Sequence, residues 1–368
     1  MTMSATRSEV ATIRSGIVGG GFMGRVHARA IRATSSEVTA LASSSADSAA
    51  RAAAALGAGR AEPDVAALLS APDVEVVHVC TPNASHARLA RAALEAGKHV
   101  VCEKPLAVSL DEARALADDA AGTGLVAAVP FVYRYHPVVR ELRARILAGE
   151  LGPLITVDCA YLQDWMLLPD DSNWRALSAD GGPSRAFADI GSHVCDLLEF
   201  VTGERIVRLT ARTRRFYDTR SGRPVANEDA VTVLVELSSG AIGTLLVSQM
   251  AAGRKNALSL ELHGAAASAR FEQERPDELW LGGRQGNRIL LRDPASPYPD
   301  AARLSLVPAG HPMGYQDAFN AFVADVHAAV RGARPEGLPT FADGVRAAAL
   351  TEAVLWSAQH GEWADTAP

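Results

Sequence analysis

Short apolar runs alternate with stretches of helical spacing through the first third of the chain. The runs are nearly continuous, as expected for parallel strands covered on both faces, and the stretches between them carry capping serines and glycines. This pattern predicts strands at 12–21, 38–43, 74–82, 99–105 and 125–132, with helices at 22–33, 46–57, 63–70, 85–98 and 109–124. Such alternation is typical of a doubly wound parallel sheet, the α/β Rossmann arrangement.

Further along, the apolar positions alternate with polar ones, which is typical of strands with one buried face. Strands are predicted at 155–163 and 205–217, at 230–250 as a pair joined at Ser238-Ser239-Gly240, and onward through 257–264, 268–274 and 278–283. Residues from Gly314 to about Gly361 return to helical spacing. Because 368 residues exceed what one core usually supports, we predict two domains, at residues 1–130 and 131–368.

Charge and hydropathy argue against two broad classes of function. The net charge of −6, without a strongly basic stretch, argues against a nucleic-acid partner. No window reaches about 18 consecutive apolar residues, so no membrane span is expected. The first residues, MTMSATRSEVATIR, lack the apolar core of a signal peptide, so we expect a cytoplasmic protein.

Gly19, Gly21 and Gly24 form a G-x-G-x-x-G motif between the first predicted strand and helix. The first glycine permits a tight turn, the second lets a pyrophosphate approach the backbone, and the third lets helix and strand pack closely. Alone, the motif also fits an ordinary strand–helix turn. The alternation that follows it favours a dinucleotide-binding domain.

The residues after the second predicted strand leave the choice of dinucleotide open. A carboxylate at this position would bind a ribose hydroxyl, as in NAD enzymes. The chain has Ser43-Ser44-Ser45 instead, and Arg51 lies one or two turns along the next helix. Because serine can bind either a ribose hydroxyl or a 2′-phosphate, the expected cofactor is NAD or NADP, with NAD favoured.

Three motifs together carry a family resemblance: the glycine fingerprint at 19–24, CEKP at 102–105 and DIGSH at 189–193. With these, the chain resembles the Gfo/Idh/MocA family of sugar and cyclitol dehydrogenases over nearly its whole length, and YLQDW at 161–165 and SQMAAGRKN at 248–256 resemble the branch acting on pyranoses, anhydropyranoses and inositols. The resemblance implies a Rossmann domain, then an α+β substrate-binding and oligomerisation domain with a large open, mainly antiparallel sheet. It also implies a homodimer or homotetramer, in which partner subunits cover that sheet.

Lys104, Asp189 and His193 are the candidate catalytic residues. Lys104 follows a buried strand at the edge where doubly wound sheets bind ligands, and loss of solvation beside an oxidised nicotinamide favours the neutral amine that a base requires. The resemblance implies that His193 binds the reacting hydroxyl or relays its proton, and that Asp189 positions the substrate or supports the lysine. Their spacing of four places both on one face of a predicted helix start.

Other interpretations of these three residues stay open at this point. Lys104 also fits a surface lysine at a strand end, and Asp189 a simple helix cap with His193 packed nearby. A metal pair is the third alternative, but no further ligands accompany the two residues, so no metal is expected.

The resemblance implies which residues line the site. The expected cofactor-binding residues are Gly19, Gly21, Phe22, Met23, Gly24, Ser43, Ser44, Thr81, Pro82, Asn83, His86, Glu103 and Lys104. The expected substrate-binding residues are Lys104, Tyr133, Gln163, Asp164, Trp174, Arg175, Asp189 and His193, with Asn256 matching the same stretches. Trp165 fits a sugar platform or a packing residue equally well, and His311 is a further candidate.

These expectations combine into one predicted activity. The sequence predicts an NAD(P)-dependent oxidoreductase that transfers a hydride between the nicotinamide and a secondary hydroxyl of a sugar, an anhydrosugar or a cyclitol. The alternatives are a family member that uses tightly bound NAD in glycoside cleavage, and a non-catalytic nucleotide-binding sensor. Lys104, Asp189 and His193 together favour the enzyme, because a sensor needs none of them.

Overall fold

A computed structural model of the chain describes residues 12–366; the N-terminal residues on which the expectation of no leader rests are partly outside this range. Six parallel strands form the first sheet, in the order β3-β2-β1-β4-β5-β6. They are β1 Arg14–Val18, β2 Glu37–Ala42, β3 Arg60–Ala61, β4 Val76–Val79, β5 His99–Cys102 and β6 Ala127–Ala128. The helices between them are α1 Phe22–Ala33, α2 Ala46–Leu56, α3 Val65–Ser70, α4 His86–Glu95 and α5 Leu110–Ala121.

This strand order confirms the predicted Rossmann arrangement and locates its ligand crevice. β1 lies between β2 and β4, so the connections after β1 and β4 leave in opposite directions and open a crevice at the carboxyl ends of the strands. Two details differ from the sequence prediction. The two-residue β3 was not predicted, and β6 is far shorter than the predicted 125–132, because Pro130 cannot donate to a ladder.

Nine strands form the second sheet, in the order β16-β15-β14-β13-β7-β12-β11-β8-β17, and β9 and β10 form a separate small hairpin. Only β7 and β12 pair in parallel, so the sheet is mixed and mostly antiparallel. Its strands are β7 Leu154–Leu162, β8 Ile206–Arg214, β11 Ala230–Leu237, β12 Ile242–Ser248, β13 Ala257–Gly264, β14 Ser268–Glu272, β15 Glu278–Gly283, β16 Gly286–Leu291 and β17 Ala364–Asp365; the hairpin strands are β9 Thr219–Arg220 and β10 Arg223–Pro224.

The remaining helices pack on one face of this sheet or on the first domain. They are α6 Pro137–Leu147, α7 Ser178–Gly181, α8 Ser192–Thr202, α9 Pro299–Leu304, α10 Tyr315–Val330 and α11 Phe341–His360. Short 3₁₀ turns cover Asn83–Ser85, Val132–Tyr135 and Trp174–Ala176. Alternate residues of β11, such as Val231 and Val233, are buried in one core with Val194 and Leu198 of α8. Packing against the sheet therefore fixes the position of α8 and of the turn that precedes it.

The chain returns to the first sheet near its end. Phe319, Phe322 and Val326 of α10 share a core with Val26 and Ile31 of α1. The sequence prediction groups all of residues 131–368 together, whereas α10 packs against α1 on the first sheet. An amphipathic pattern shows that a helix has a buried face but does not show which layer it covers. None of the described helices is both long and apolar enough to cross a membrane.

Candidate active site

The turn between β1 and α1 fits a phosphate group. Gly19 has φ +104°, and a Cβ there would lie 2.6 Å from the carbonyl oxygen of Cys80. A Cβ on Gly24 would lie 2.2 Å from the carbonyl oxygen of Gly19, whereas a Cβ on Gly21 would meet no described atom within 4 Å. Gly21 is also the N-cap of α1 and makes no side-chain capping bond. The first N–H groups of α1 are thus available to an anion seated above Gly21.

A groove of about 620 Å³ runs from this turn along the carboxyl ends of the strands. It is lined by every expected cofactor residue except Gly24, which packs against Gly19 instead. Those lining residues are Gly19, Gly21, Phe22, Met23, Ser43, Ser44, Thr81, Pro82, Asn83, His86, Glu103 and Lys104. Its size is within the range of small-molecule sites, so the residues present fit a dinucleotide.

His86 links the loop after β4 to the loop after β5. Its Nδ1 lies 2.7 Å from the carbonyl oxygen of Pro105, and its Nε2 lies 2.8 Å from that of Thr81. The family resemblance implied only that His86 is a cofactor-binding residue. In the structure its side chain fixes the position of the loop that carries Lys104.

Lys104 reaches across the crevice to the second domain. Its Nζ lies 2.6 Å from Asp189 Oδ1 and 2.8 Å from the Asp189 carbonyl oxygen. The side chains of both residues are 12 % exposed. Lys104 is therefore not a surface lysine at a strand end.

Asp189 lies in a π-helical turn, Phe187–Gly191, that precedes α8. The predicted helix start is thus two segments, with Asp189 in the wide turn and His193 in the first turn of the α-helix. The Asp189 side chain makes no capping bond; its Oδ2 accepts a hydrogen bond from Gln249 Nε2 at 2.8 Å. The capping interpretation of Asp189 is therefore wrong.

Two cations and one amide surround the Asp189 carboxylate. Arg175 Nε lies 3.2 Å from Oδ1, the same oxygen that Lys104 contacts. Burial alone would raise the pKa of Asp189, but the charges of Lys104 and Arg175 and the hydrogen bond from Lys104 outweigh it and hold the pKa well below its usual range. Asp189 is consequently ionised and anchors Lys104 at neutral pH.

His193 lies beside this pair as a neutral imidazole. Burial, together with the nearby charge of Lys104, lowers the pKa of His193 well below its usual value. Its ring meets Tyr133 and Phe131 edge-on, with centroids 5.0 Å and 5.6 Å away. Its Nδ1 is buried and has no partner within residues 12–366. A neutral ring can donate one hydrogen bond and accept another.

A second cavity, of about 780 Å³, begins where the groove ends. The two share Phe22, Met23, Glu103, Lys104 and Arg175 in their walls, so they form one continuous cleft. Of the expected substrate-binding residues, the cavity is lined by Lys104, Tyr133, Gln163, Arg175, Asp189 and His193, and by Asn256 and Trp165 from the same stretches.

One wall of the cavity is a chain of hydrogen-bonded polar side chains. Asn256 Oδ1 accepts hydrogen bonds from Tyr161 Oη at 2.6 Å and from Gln163 Nε2 at 2.9 Å. Trp165 Nε1 donates to Gln163 Oε1 at 2.7 Å, and the hydroxyls of Tyr133 and Tyr161 meet at the other end. A fixed array of hydroxyl, amide and indole groups is suited to a ligand with several hydroxyls.

Three expected substrate residues lie elsewhere. The Asp164 carboxylate is bound by Lys255 Nζ at 2.6 Å and by the Gly253 N–H at 3.0 Å, outside the cavity lining. Trp174 lines the cofactor groove, where Arg175 stacks 4.3 Å above its ring. His311 is exposed on the surface.

The sequence prediction missed several residues of the site, among them Tyr161, Gln249, Tyr315 and Phe319. Tyr161 continues the buried alternation of β7 through residues 157 and 159, so strand parity could have found it. Tyr315 and Phe319 line the cavity from α10, more than 200 residues after Lys104. The packing partner of that helix cannot be predicted from the sequence. Gln249 lies within the SQMAAGRKN stretch, but nothing in the sequence singles out this neutral residue as a partner of Asp189.

No cluster of three or more His, Cys, Asp or Glu side chains in the described part of the chain could hold a metal ion. The hydrogen bonds of Asp189 to a lysine and a glutamine occupy both of its oxygens. The geometry thus describes an ion pair and a neutral imidazole at the end of a dinucleotide groove.

Comparison with known proteins agrees with this geometry. Residues 13–131 match the model of the oxidoreductase family with an NAD-binding Rossmann fold, and residues 139–270 match the GFO/IDH/MocA C-terminal domain. The chain belongs to the Gfo/Idh/MocA oxidoreductase family. Its sequence resemblance and its predicted fold class are therefore confirmed.

Several characterised members of the Gfo/Idh/MocA family are similar over nearly the full chain. Levoglucosan dehydrogenase of Pseudarthrobacter phenanthrenivorans is 32 % identical, over 95 % of this chain and 97 % of its own. Inositol 2-dehydrogenase of Rhizobium meliloti is 27 % identical, over 94 % and 97 %. A solved structure of levoglucosan dehydrogenase in complex with NADH and levoglucosan superposes with a TM-score of 0.91, at 32 % identity over 97 % and 100 % of the two chains.

Proposed function

We propose that the protein is an NAD(P)-dependent dehydrogenase that oxidises a secondary hydroxyl of a neutral sugar, anhydrosugar or cyclitol. The observation that carries this proposal is the convergence of Lys104, Asp189 and His193 at the point where the dinucleotide groove meets the second cavity. A binding protein that only senses a nucleotide has no use for a buried lysine held by a carboxylate there.

The roles of the three residues follow from their atoms. When bound, the nicotinamide supplies the hydride acceptor. Lys104 Nζ first releases its ammonium proton to solvent and then, as the neutral amine, accepts the proton of the substrate hydroxyl. Asp189 fixes the place of that Nζ through the 2.6 Å contact. The neutral His193 offers a second hydrogen bond to the same hydroxyl and holds it in line with Lys104.

The charges of the cavity favour a neutral substrate. Its described lining has two cations, Lys104 and Arg175, and two carboxylates, Glu103 and Asp189. Both cations contact the Asp189 carboxylate, so the lining has no excess positive charge to attract a phosphate or a uronate. The hydrogen-bonded wall of Tyr161, Gln163 and Asn256 suits uncharged hydroxyls instead. The similar proteins named for levoglucosan and inositol support the same class, since both compounds are neutral ring polyols.

NAD is the proposed cofactor, with only modest discrimination against NADP. Ser43 and Ser44 follow β2 in the groove wall, where a carboxylate would repel a 2′-phosphate. Ser45 is not part of this wall; its hydroxyl caps α2 by accepting the N–H of Ser48. The ratio of kcat/KM for the two cofactors measures the discrimination directly.

A substrate panel tests the proposed activity. Purified protein is incubated with pyranoses, 1,6-anhydrosugars and inositols, each with NAD and with NADP, and reduced nicotinamide is followed by its absorbance. At least one neutral polyol should be oxidised, and its phosphorylated analogue should be a much poorer substrate. Failure of every polyol with both cofactors would contradict the dehydrogenase proposal. Nicotinamide that remains bound through purification would instead favour an enzyme that regenerates its cofactor within one reaction cycle.

We also propose that residues 1–130 and 131–368 act as the cofactor and substrate domains of a cytoplasmic homodimer or homotetramer. Leu234, Ile242 and Leu246 are 46 %, 58 % and 43 % exposed on the outer face of β11 and β12. Neighbouring apolar side chains on an open sheet are typical of a subunit interface. Light scattering should give a dimer or tetramer; a monomer at micromolar concentration would contradict this assembly.

A further inference from the structure

Three buried titratable side chains lie behind Lys104 and have no role in the mechanism described above. His27 comes from α1, His78 from β4, and Glu103 from the position directly after β5. Both histidines are fully buried, and Glu103 is 5 % exposed. They come from three elements of the first domain and meet directly beneath the start of the catalytic loop.

The three side chains form one hydrogen-bonded chain that ends at the Lys104 backbone. His27 Nδ1 lies 2.8 Å from His78 Nδ1, and His27 Nε2 lies 2.9 Å from Glu103 Oε1. The other oxygen of Glu103 accepts the backbone N–H of Lys104 at 3.2 Å. Each oxygen of the carboxylate therefore has a different task, one toward His27 and one toward Lys104.

The positions of the protons in this hydrogen-bonded chain follow from which of its atoms can only accept. Burial alone would raise the pKa of Glu103, but the hydrogen bond and charge of His27, with the charge of Lys104, outweigh it, so the pKa of Glu103 lies below its usual value. An ionised Glu103 can only accept, so His27 Nε2 carries a proton. Burial lowers the pKa of His78 well below its usual value, so His78 is neutral and shares one hydrogen bond with His27 through the two Nδ1 atoms.

A purely structural role does not explain this arrangement. Burying a carboxylate costs free energy that an apolar side chain of similar size would not cost. The surroundings are apolar: Phe319 of α10 meets the His27 ring edge-on, with centroids 4.7 Å apart. The same Phe319 lines the substrate cavity, so His27 is one residue removed from the site.

We propose that His27, supported by His78, is a positioning residue that holds the Glu103 carboxylate against the Lys104 backbone N–H and so orients Lys104 for proton transfer. His27 touches neither substrate nor cofactor and acts only through Glu103. This inference rests on the proposed function, because Lys104 needs orienting only if it transfers a proton.

Backbone NMR tests the positioning without any need for turnover. The chain contains three lysines, Lys98, Lys104 and Lys255, so protein labelled with ¹⁵N-lysine gives three backbone amide signals. His27→Leu and Glu103→Gln should both shift the Lys104 amide proton upfield, as the bond to the carboxylate weakens. His27→Gln, whose Nε2 can replace the imidazole Nε2, should keep it near its wild-type position.

Kinetics on the same variants tests the consequence for catalysis. His27→Leu should lower kcat about ten- to a hundredfold, with little change in the KM of the polyol or in NADH affinity, because only the geometry of Lys104 changes. His27→Gln should restore most of that loss. In a Glu103→Gln background, His27→Leu should have little further effect, because His27 acts through Glu103.

His327→Leu is the matched control. His327, on α10, is also fully buried where this helix packs on the first domain, but its Nδ1 faces Ser36 and Thr34, not Glu103. It should lower the melting temperature without moving the Lys104 amide signal or kcat. The proposal fails if the Lys104 amide signal has the same position in His27→Leu as in His327→Leu. It also fails if the wild type is active and His27→Leu has the same kcat. An inactive wild type with the expected amide shifts would contradict the proposed function and leave the hydrogen-bonded chain established.

Discussion

Replacing Asp189 with asparagine changes the charge of the site and little of its shape. The amide oxygen can take the place of Oδ1 toward Lys104 and Arg175, and the amide nitrogen the place of Oδ2. Gln249 can then turn its side-chain amide, because its Oε1 has no partner in the described part of the chain and can accept from the new NH₂ group. The variant should fold normally, so its kinetics report the loss of one negative charge.

The contact distance sets the size of the effect. A 2.6 Å contact between unit charges corresponds to about 6 kcal/mol at an effective dielectric constant of about 20. Most of this is offset by the desolvation of the buried pair, and a hydrogen bond to a charged group contributes about 1.5–3 kcal/mol net. Since about 1.4 kcal/mol is a factor of ten, the plateau value of kcat should fall about ten- to a hundredfold in Asp189→Asn.

Steady-state kinetics measure this loss, with the melting temperature of Asp189→Asn as the folding control. The Lys104 side chain stays in place through the amide oxygen and through its 2.8 Å contact with the Asp189 carbonyl oxygen, so the KM of the polyol should change little. A value of kcat equal to that of the wild type, in a variant that folds normally, would refute the role given to Asp189.

Two further predictions concern residues around this pair. Gln249→Met removes the donor that lies 2.8 Å from Asp189 Oδ2, so kcat should fall about tenfold with NADH affinity unchanged in a fluorescence titration; an unaltered kcat would exclude Gln249 from positioning Asp189. Burial lowers the pKa of His136 to about 4. Between pH about 6.5 and pH about 4 the unfolded chain therefore binds a proton that the folded protein does not, and the stability falls as the pH falls through this window. In urea unfolding, the free energy of unfolding should fall by up to about 3 kcal/mol less in His136→Phe than in the wild type across that pH window. If both proteins show the same pH dependence, His136 titrates normally in the folded protein.

The first sheet was predictable because its central strands can be recognised in the sequence. β4 and β5 are covered on both faces, and such strands read as unbroken apolar runs between helices. The strands β3 and β17 have two residues each, which is too short for an alternation of apolar and polar side chains to be recognised. The packing of α10 on α1 joins segments almost 300 residues apart, which no local pattern encodes.

The candidate site was predictable where its residues belong to motifs. Lys104 and Asp189 were found through the CEKP and DIGSH motifs. The resemblance implied that Asp189 positions the substrate or supports the lysine, but not that the two form an ion pair. Asp164 was misplaced because the chain leaves β7 after Leu162, so the strand alternation no longer says which way a side chain points. The π-helical turn at Phe187–Gly191 could not be predicted, because its sequence suits an ordinary α-helix equally well.

The proposed mechanism depends most on Lys104 as the group that takes the hydroxyl proton. Its most direct test is kcat of Lys104→Met, measured at saturating cofactor with the best polyol of the panel. Methionine keeps the length of the side chain and cannot accept the proton, so kcat should fall by about 10² to 10⁴ while NADH still binds. A kcat within about threefold of the wild type would show that the proton leaves by another route and would contradict the mechanism.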